Sequence, residues 1–217
     1  RDALNFVKKL SKLNSLILEG IYSHFPSADD DSKFTDTQIG SFKRLIDSLE
    51  KENIFIPLKH MANSAAVMRH KNSYFNLVRP GLMLYGLYAD AEAEKPVRLK
   101  PVLSFRTRIT YLKDIGAGRS VSYNRTFIAK KKTRIATIPV GYADGYNRLL
   151  SNRADVLVRG RRCRVAGRVC MDHIMVDVTG VNAKIGDEVV LIGKQGSSEI
   201  SAEEISPAVK SRGIGFP

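Results

Sequence analysis

Three short segments carry side chains that chemistry needs and a plain β-fold does not. SVSYNRTF (Ser120–Phe127) sets Tyr123 between Ser, Asn and Arg at the end of a turn. VGYADGYNR (Val140–Arg148) ends an apolar run with Tyr142, Tyr146, an Asp and Arg148. GRVCMDHIMVDV (Gly167–Val178) opens on a glycine and carries Met171, Asp172 and His173 in its middle. A tyrosine serves as a general base when nearby cations lower its pKa from about 10. The same residue is as readily a half-buried strand residue, and both readings of Tyr123 stand at this point.

Earlier in the chain, Arg79 follows the apolar pair Leu77–Val78 and precedes Pro80 and Gly81. An arginine at a strand end suits an anionic or hydrogen-bond-accepting ligand. A glycine beside it lets the backbone approach closely and turn its amide to a phosphate. Ser64 stands where a small-residue turn opens a helix, a second good phosphate position, and His24 lies at the end of an apolar strand. Each has an ordinary assignment too: Ser64 as a helix cap, Gly81 as a turn residue, Arg79 as a surface cation, His24 as a satisfied strand-end histidine.

The elements that must position these residues fall into two patterns. Leu4, Val7, Leu10 and Leu13 predict an amphipathic helix over 2–15, and Leu16 to Phe25 a buried strand. Asp36 is expected to cap a second helix whose apolar stripe is Ile39, Phe42, Leu45, Ile46 and Leu49. Ile54–His60 reads as a short strand, ANSAA as a loop opening a helix, and Phe75–Leu87 as a strand running into a turn. Helix–strand alternation argues for parallel βα units, in which ligands gather at the C-terminal ends of the strands. The SHF, HMANSAA and VRPG loops lie there. Residues 88–99 read as a charged linker. Beyond them VLSFRTRITYL, RIATIPVGY, DVLVRG, RCRVAGRV, HIMVDV and EVVLIG are short strands separated by turn residues, an all-β unit, with a late helix in ISAEEISPAVKSRG.

Composition excludes several classes. The 217 residues are 43% hydrophobic, enough for a packed core, and no run of about 18 apolar residues could span a bilayer. Cys163 and Cys170 are too few for a disulfide framework and lack zinc-site spacing, so no metal and a reduced, cytoplasmic setting are expected. The net charge of +13 favours polyanions in general. It is scattered, however, and its densest cluster, Lys130–Lys132 with Arg134, reads as a solvated turn, so no nucleic-acid partner is expected.

Taken in order, SHF, HMANSAA, VRPGLMLYGL, VSYNRTF, IPVGYADGYNR and GRVCMDHIMVDV resemble the alanine racemases over essentially the whole chain. The resemblance implies a fold-type III pyridoxal 5′-phosphate enzyme. Its fold would be α/β plus β: a partial (β/α)8 TIM-type barrel over residues 1–92, then a mainly β C-terminal domain over 93–217. The implied reaction is two-base interconversion of L-alanine and D-alanine, supplying D-alanine for peptidoglycan. By motif, Tyr123 is one catalytic base. Arg79 hydrogen-bonds the pyridine nitrogen, and Ser64 with the Gly81 and Leu82 amides holds the phosphate. His24 stands beside the cofactor, linked to the tyrosine; the Met171 backbone binds the substrate carboxylate; Tyr142 and Arg148 line the path by which substrate enters. The resemblance also implies a homodimer in which Tyr123 and Met171 face the cofactor in the partner's barrel.

There are departures. The family's second base is the lysine that holds the cofactor as a Schiff base, in a segment resembling VKANAYGHG, and no such segment is present. The family's late serine–arginine–valine–proline motif, with its phosphate-binding tyrosine, is missing as well. The expectation is a chain cut short at both ends and inactive by itself. Asn124 stands where a glycine is common, a mild change because Asn tolerates positive φ. The alternatives are a serine or broad-specificity racemase of the same fold, a non-catalytic phosphate- or pyridoxal-phosphate-binding protein, and a nucleic-acid-binding β-barrel.

Overall fold

The computed structural model describes residues 2–88 and 97–205. It divides into two units, Arg1–Pro101 and Val102–Pro217.

The first unit alternates helix and strand: α1 (Asp2–Leu10), β1 (Gly20–Tyr22), α2 (Ser32–Lys51), β2 (Leu58–His60) and α3 (Ser64–Arg69). β1 and β2 pair in parallel, with Tyr22 opposite His60. Both strands are shorter than the apolar runs that predict them. Ile17 is 93% exposed and lies outside β1, and Pro57, which has no N–H to give a ladder, directly precedes β2. α2 is capped by Asp31, whose carboxylate accepts from Phe34 N at 2.9 Å, not by Asp36, which lies inside the helix. The cap sits farther upstream because Thr35, fully buried, takes part in the helix and donates its hydroxyl to Asp31 O. Of the expected α2 stripe, Ile39, Phe42, Ile46 and Leu49 are buried and Leu45 is half-buried. The first three pack with Phe25, Met61, Ala62, Ala65 and Ala66 in one core. Burying each large apolar side chain there stabilises by about 1.5–3 kcal/mol.

Phe75–Leu87 is not a strand. It is loop and a 3-10 turn, Leu82–Tyr85. Pro80 interrupts any ladder, and Phe75 takes φ 50. The segment is held instead by single contacts, Arg79 N to Ala62 O at 2.9 Å and Asn76 N to Lys59 O at 3.3 Å.

The second unit is built of β-strands and 3-10 turns, with a short helical stretch at 202–205. Its strands are β3 (Phe105–Arg108), β4 (Tyr111–Ile115), β5 (Ser120–Val121), β6 (Phe127–Ile128), β7 (Thr133–Ile138), β8 (Asp155–Val158), β9 (Arg161–Arg164), β10 (Ile174–Asp177), β11 (Glu188–Gln195) and β12 (Ser198–Ile200). β10, β7 and β4 form one antiparallel sheet; β12, β11, β8 and β9 form another, with β3 on β11; β5 and β6 make a small hairpin. The run VLSFRTRITYL is thus two strands in two sheets. Ile138, Val156, Val158, Val165, Ile174, Val176, Val189 and Leu191 fill the core between them, each with no exposed surface. Lys130–Lys132 form an exposed bend before β7. The expected linker at 88–99 lies mostly outside the described residues, and of the expected late helix residues 202–205 are helical while the rest lies outside them. Among the described residues no helix is long and apolar enough to cross a membrane, and no group of His, Cys, Asp or Glu could hold a metal ion.

Candidate functional site

In the first unit, His24, Ser64, Arg79, Gly81 and Leu82 line one open cavity of about 400 Å³ at the ends of β1 and β2. Segments far apart in sequence converge there for simple reasons. Parallel pairing sets the ends of β1 and β2 side by side, and Asn63 caps α3 by accepting from Ala66 N at 3.1 Å. Asn63, not Ser64, is therefore the cap. This leaves the Ser64 hydroxyl, in a residue only 6% exposed, to accept from Gly81 N at 2.8 Å and Met83 N at 3.3 Å. The second amide donating to Ser64 Oγ is that of Met83; Leu82 also lines the cavity, and its carbonyl accepts from Leu87 N.

Arg79 is the centre of the cavity's polar side. Its guanidinium donates to Ser23 O at 3.0 Å, contacts His24 Nδ1 at 3.3 Å and His60 Nδ1 at 2.5 Å, and lies over the Tyr22 ring at 5.2 Å. Tyr22 and His60 stack with ring centroids 5.2 Å apart and planes 2° from parallel. Burial, and then the positive charge of Arg79, hold His60 below the usual histidine pKa. A neutral His60 accepts from Arg79 at Nδ1 and fixes the guanidinium plane. His60 and Tyr22 are the residues that sequence reasoning missed. The signal was weak: a histidine closing a strand just before the small-residue loop, with nothing in one sequence to show that Tyr22 would stand opposite.

In the second unit, the Gly167–Met171 segment gathers the remaining candidates. Cys170 O accepts from Tyr142 N and Met171 O from Ala143 N, each at 3.0 Å. This approach requires a glycine at 141, where a Cβ would lie 2.1 Å from Met171 O. Ser122 donates to Arg168 O at 2.7 Å and brings the Tyr123 turn to the same segment. Tyr123, Tyr142 and Met171 are all well exposed, at 64%, 43% and 54%. Asn124 takes φ 60, ψ 12, the left-handed conformation that a glycine would favour and Asn tolerates. Arg148 stands in a 3-10 turn and lines a separate cavity of about 270 Å³ with Thr126, Asn152 and Arg168, whose buried Nε has no hydrogen-bond partner among the described residues. Tyr146 belongs to the core, 2% exposed, with burial raising its pKa. Burial pushes the Cys163 thiol up to about 11, with Asp177 adding to the effect, and both cysteines are free.

Comparison with known proteins decides the family. Residues 1–89 match the model of the alanine racemase N-terminal domain, and residues 102–213 that of the C-terminal domain. The chain belongs to the alanine racemase family. It is 50% identical over 208 residues to an alanine racemase of Halothermothrix orenii, covering 95% of this chain and 55% of that protein. It superimposes with a TM-score of 0.90 on an alanine racemase of Clostridium difficile in complex with cycloserine, at 35% identity, over 96% of this chain and 56% of the other. Against an alanine racemase of Bacillus anthracis with bound L-Ala-P, the TM-score is 0.87 at 37% identity, over 94% of this chain and 53% of the other. The chain spans about half the length of these relatives. Those neighbours establish the architecture of the alanine racemases for the two units, a TIM-type barrel part and a β-rich C-terminal part.

The first-unit cavity is lined by donors of the kind that suit a phosphorylated aromatic ligand. A phosphate asks for converging hydroxyl and amide donors, and the Ser64 hydroxyl and the backbone at Gly81 and Leu82 lie on this cavity, with the Gly81 and Met83 amides donating to Ser64 Oγ. The Arg79 guanidinium lines the same cavity, held by Ser23 O, His24 and His60.

Proposed function

We propose that the protein containing this chain is an alanine racemase that uses pyridoxal 5′-phosphate to interconvert L-alanine and D-alanine. The observation that carries the reading is the single cavity lined by His24, Ser64, Arg79, Gly81 and Leu82, the five residues that the family motifs assign to the cofactor.

Bound there, the cofactor would withdraw electrons from the substrate's α-carbon. Ser64 and the Gly81 and Leu82 amides would bind its phosphate, the Gly81 amide turning to it from Ser64 Oγ, where the Met83 amide also donates. A guanidinium offers only donors, so Arg79 would keep the pyridine nitrogen unprotonated. That moderates charge build-up on the substrate and places the burden on rapid, well-aligned proton transfer. Tyr123 Oη would remove or return the α-proton on one face, with His24 linked to it. The Met171 backbone would orient the substrate carboxylate, while Tyr142 and Arg148 would line the path inward. The exposure of Tyr123 and Met171 fits a homodimer in which they serve the partner's barrel. The free cysteines fit a reduced cytoplasm, and D-alanine would go to peptidoglycan.

The test is racemisation of L-alanine by the full-length enzyme with added pyridoxal phosphate, with L-serine assayed in parallel. Tyr123→Phe is expected to lower kcat/KM by about 10²–10⁴-fold. No turnover of either amino acid would defeat the reading; turnover of serine alone would replace the substrate.

A further inference from the structure

We propose that Asn152 is a positioning residue for Tyr123. Together with Ser122 it clamps the Tyr123 turn, at both ends, onto the segment that carries Met171. The proposal rests on the reading of Tyr123 as a base.

The Tyr123 turn cannot be expected to keep its shape unaided. Ser122, Asn124 and Arg125 have φ of 67°, 60° and 52°, a region that L-residues disfavour. Ser122 is the most unusual, with ψ 179 beside its positive φ, a conformation ordinarily left to glycine. Bonds from outside the turn must hold it. At its front, Ser122 Oγ donates to Arg168 O at 2.7 Å. At its back, Asn152 Nδ2 donates to Thr126 Oγ1 at 3.0 Å, while Asn152 Oδ1 accepts from Gly167 N at 2.6 Å. The two ends of the turn are therefore tied to consecutive residues, Gly167 and Arg168.

Those residues lead directly to Met171. Gly167 has φ 89, and a Cβ there would lie 2.6 Å from Ser122 Cβ, so turn and segment touch with no room for adjustment. Val169 N donates to Ser151 Oγ at 3.0 Å, which docks the residue before Asn152 on the same segment. Asn152 is exposed and takes φ 57, which asparagine tolerates. It adds little packing. Its contribution is the pair of bonds that spans 26 residues to Thr126 and 15 to Gly167. The clamp fixes the Tyr123 side chain relative to the Met171 backbone, and proton transfer tolerates little misplacement between base and substrate.

The experiment uses the full-length holoenzyme and three clamp variants. Asn152→Gly removes both bonds and keeps the left-handed backbone easy. Asn152→Asp keeps acceptors for the Gly167 N–H and the Thr126 hydroxyl. Thr126→Val breaks only the rear bond, at an exposed position where folding is not at stake. Asn152→Gly is expected to lower kcat about 10–100-fold with KM within about twofold, Thr126→Val less, and Asn152→Asp to remain within about threefold of the parent. The α-deuterium isotope effect should rise for the enantiomer for which Tyr123→Phe also raises it. Hydrogen exchange at residues 122–126 should quicken about tenfold in Asn152→Gly, with or without cofactor, while β8 and β10 stay protected.

Unchanged kcat and unchanged exchange in Asn152→Gly would overturn the proposal. So would a loss that Asp does not restore, that comes with a lowered melting temperature and leaves both isotope effects alone. If Tyr123→Phe itself leaves the isotope effects at parent values, the base assignment fails, and exchange at 122–126 alone decides whether the clamp exists.

Discussion

At the scale of single residues, His60 carries the most information that its sequence context does not announce. It stacks on Tyr22 and accepts from Arg79, and burial with the adjacent guanidinium disfavours its protonated form. The sign of the consequence follows directly. The unfolded chain takes up a proton near the ordinary histidine value of about 6.5, before the folded chain does. Stability is therefore complete above that value and is lost as the pH falls below it. Melting curves of the full-length apoprotein between about pH 7.5 and 5 should show this loss. His60→Gln should flatten the slope, although Asp187, Glu188 and Glu204, whose pKa values are lowered by their hydrogen bonds, add an acid loss of their own at lower pH. An identical slope in wild type and His60→Gln would show that Arg79 and His60 are not coupled. The same variant should weaken cofactor binding, because Arg79 would lose the acceptor that sets its plane.

Elements show how far one sequence can be read. The stripe of α2 was legible because one helix face meets one core, and periodicity alone finds it. Its start was not, because Asp31 and Asp36 are equally good caps by type and only the burial of Thr35 chooses between them. Asp31→Ala should cost about 1 kcal/mol in a denaturant melt. Asp36→Ala should remove only a 3.7 Å contact to His70 and leave the midpoint close to wild type. An equal or larger loss at Asp36 would mean that the helix begins elsewhere. The apolar runs at Leu16–Phe25 and Phe75–Leu87 predict strands because hydrophobicity shows what is attractive to bury, not whether a ladder partner exists. Only three residues of the first pair with β2, and the second pairs with nothing in a named sheet. The candidate cofactor residues are legible as a family pattern, one motif at a time. The contacts that make them a site, Ser64 with Gly81 and Arg79 with His60, join positions 17 and 19 residues apart and depend on the fold. The clamp from Asn152 was invisible for the same reason: an asparagine in a turn is ordinary until its partners are known.

At the scale of the whole molecule, the question is whether one subunit completes its own site. The candidate cofactor cavity belongs to the first unit; Tyr123 and Met171 belong to the second and are exposed there. If the two sets serve each other across a two-fold dimer, then defects in different sets must complement. Take full-length Tyr123→Phe and Arg79→Leu, each impaired as a homodimer. In a mixed dimer, one site receives the intact Arg79 of the first subunit and the intact Tyr123 of the second, and the other site receives both defects. Random reassortment of equal amounts gives mixed dimers half the time, so about one site in four regains full activity. Subunits that each carried a complete site could not gain anything by mixing. Co-refolding the two variants and measuring D-alanine formation therefore separates the two arrangements. Recovery to about a quarter of the wild-type rate supports the shared site, and activity no higher than the average of the two parents rejects it. Mixing Tyr123→Phe with Asn152→Gly is the control, since both defects lie in the same set and no dimer of these two restores a site.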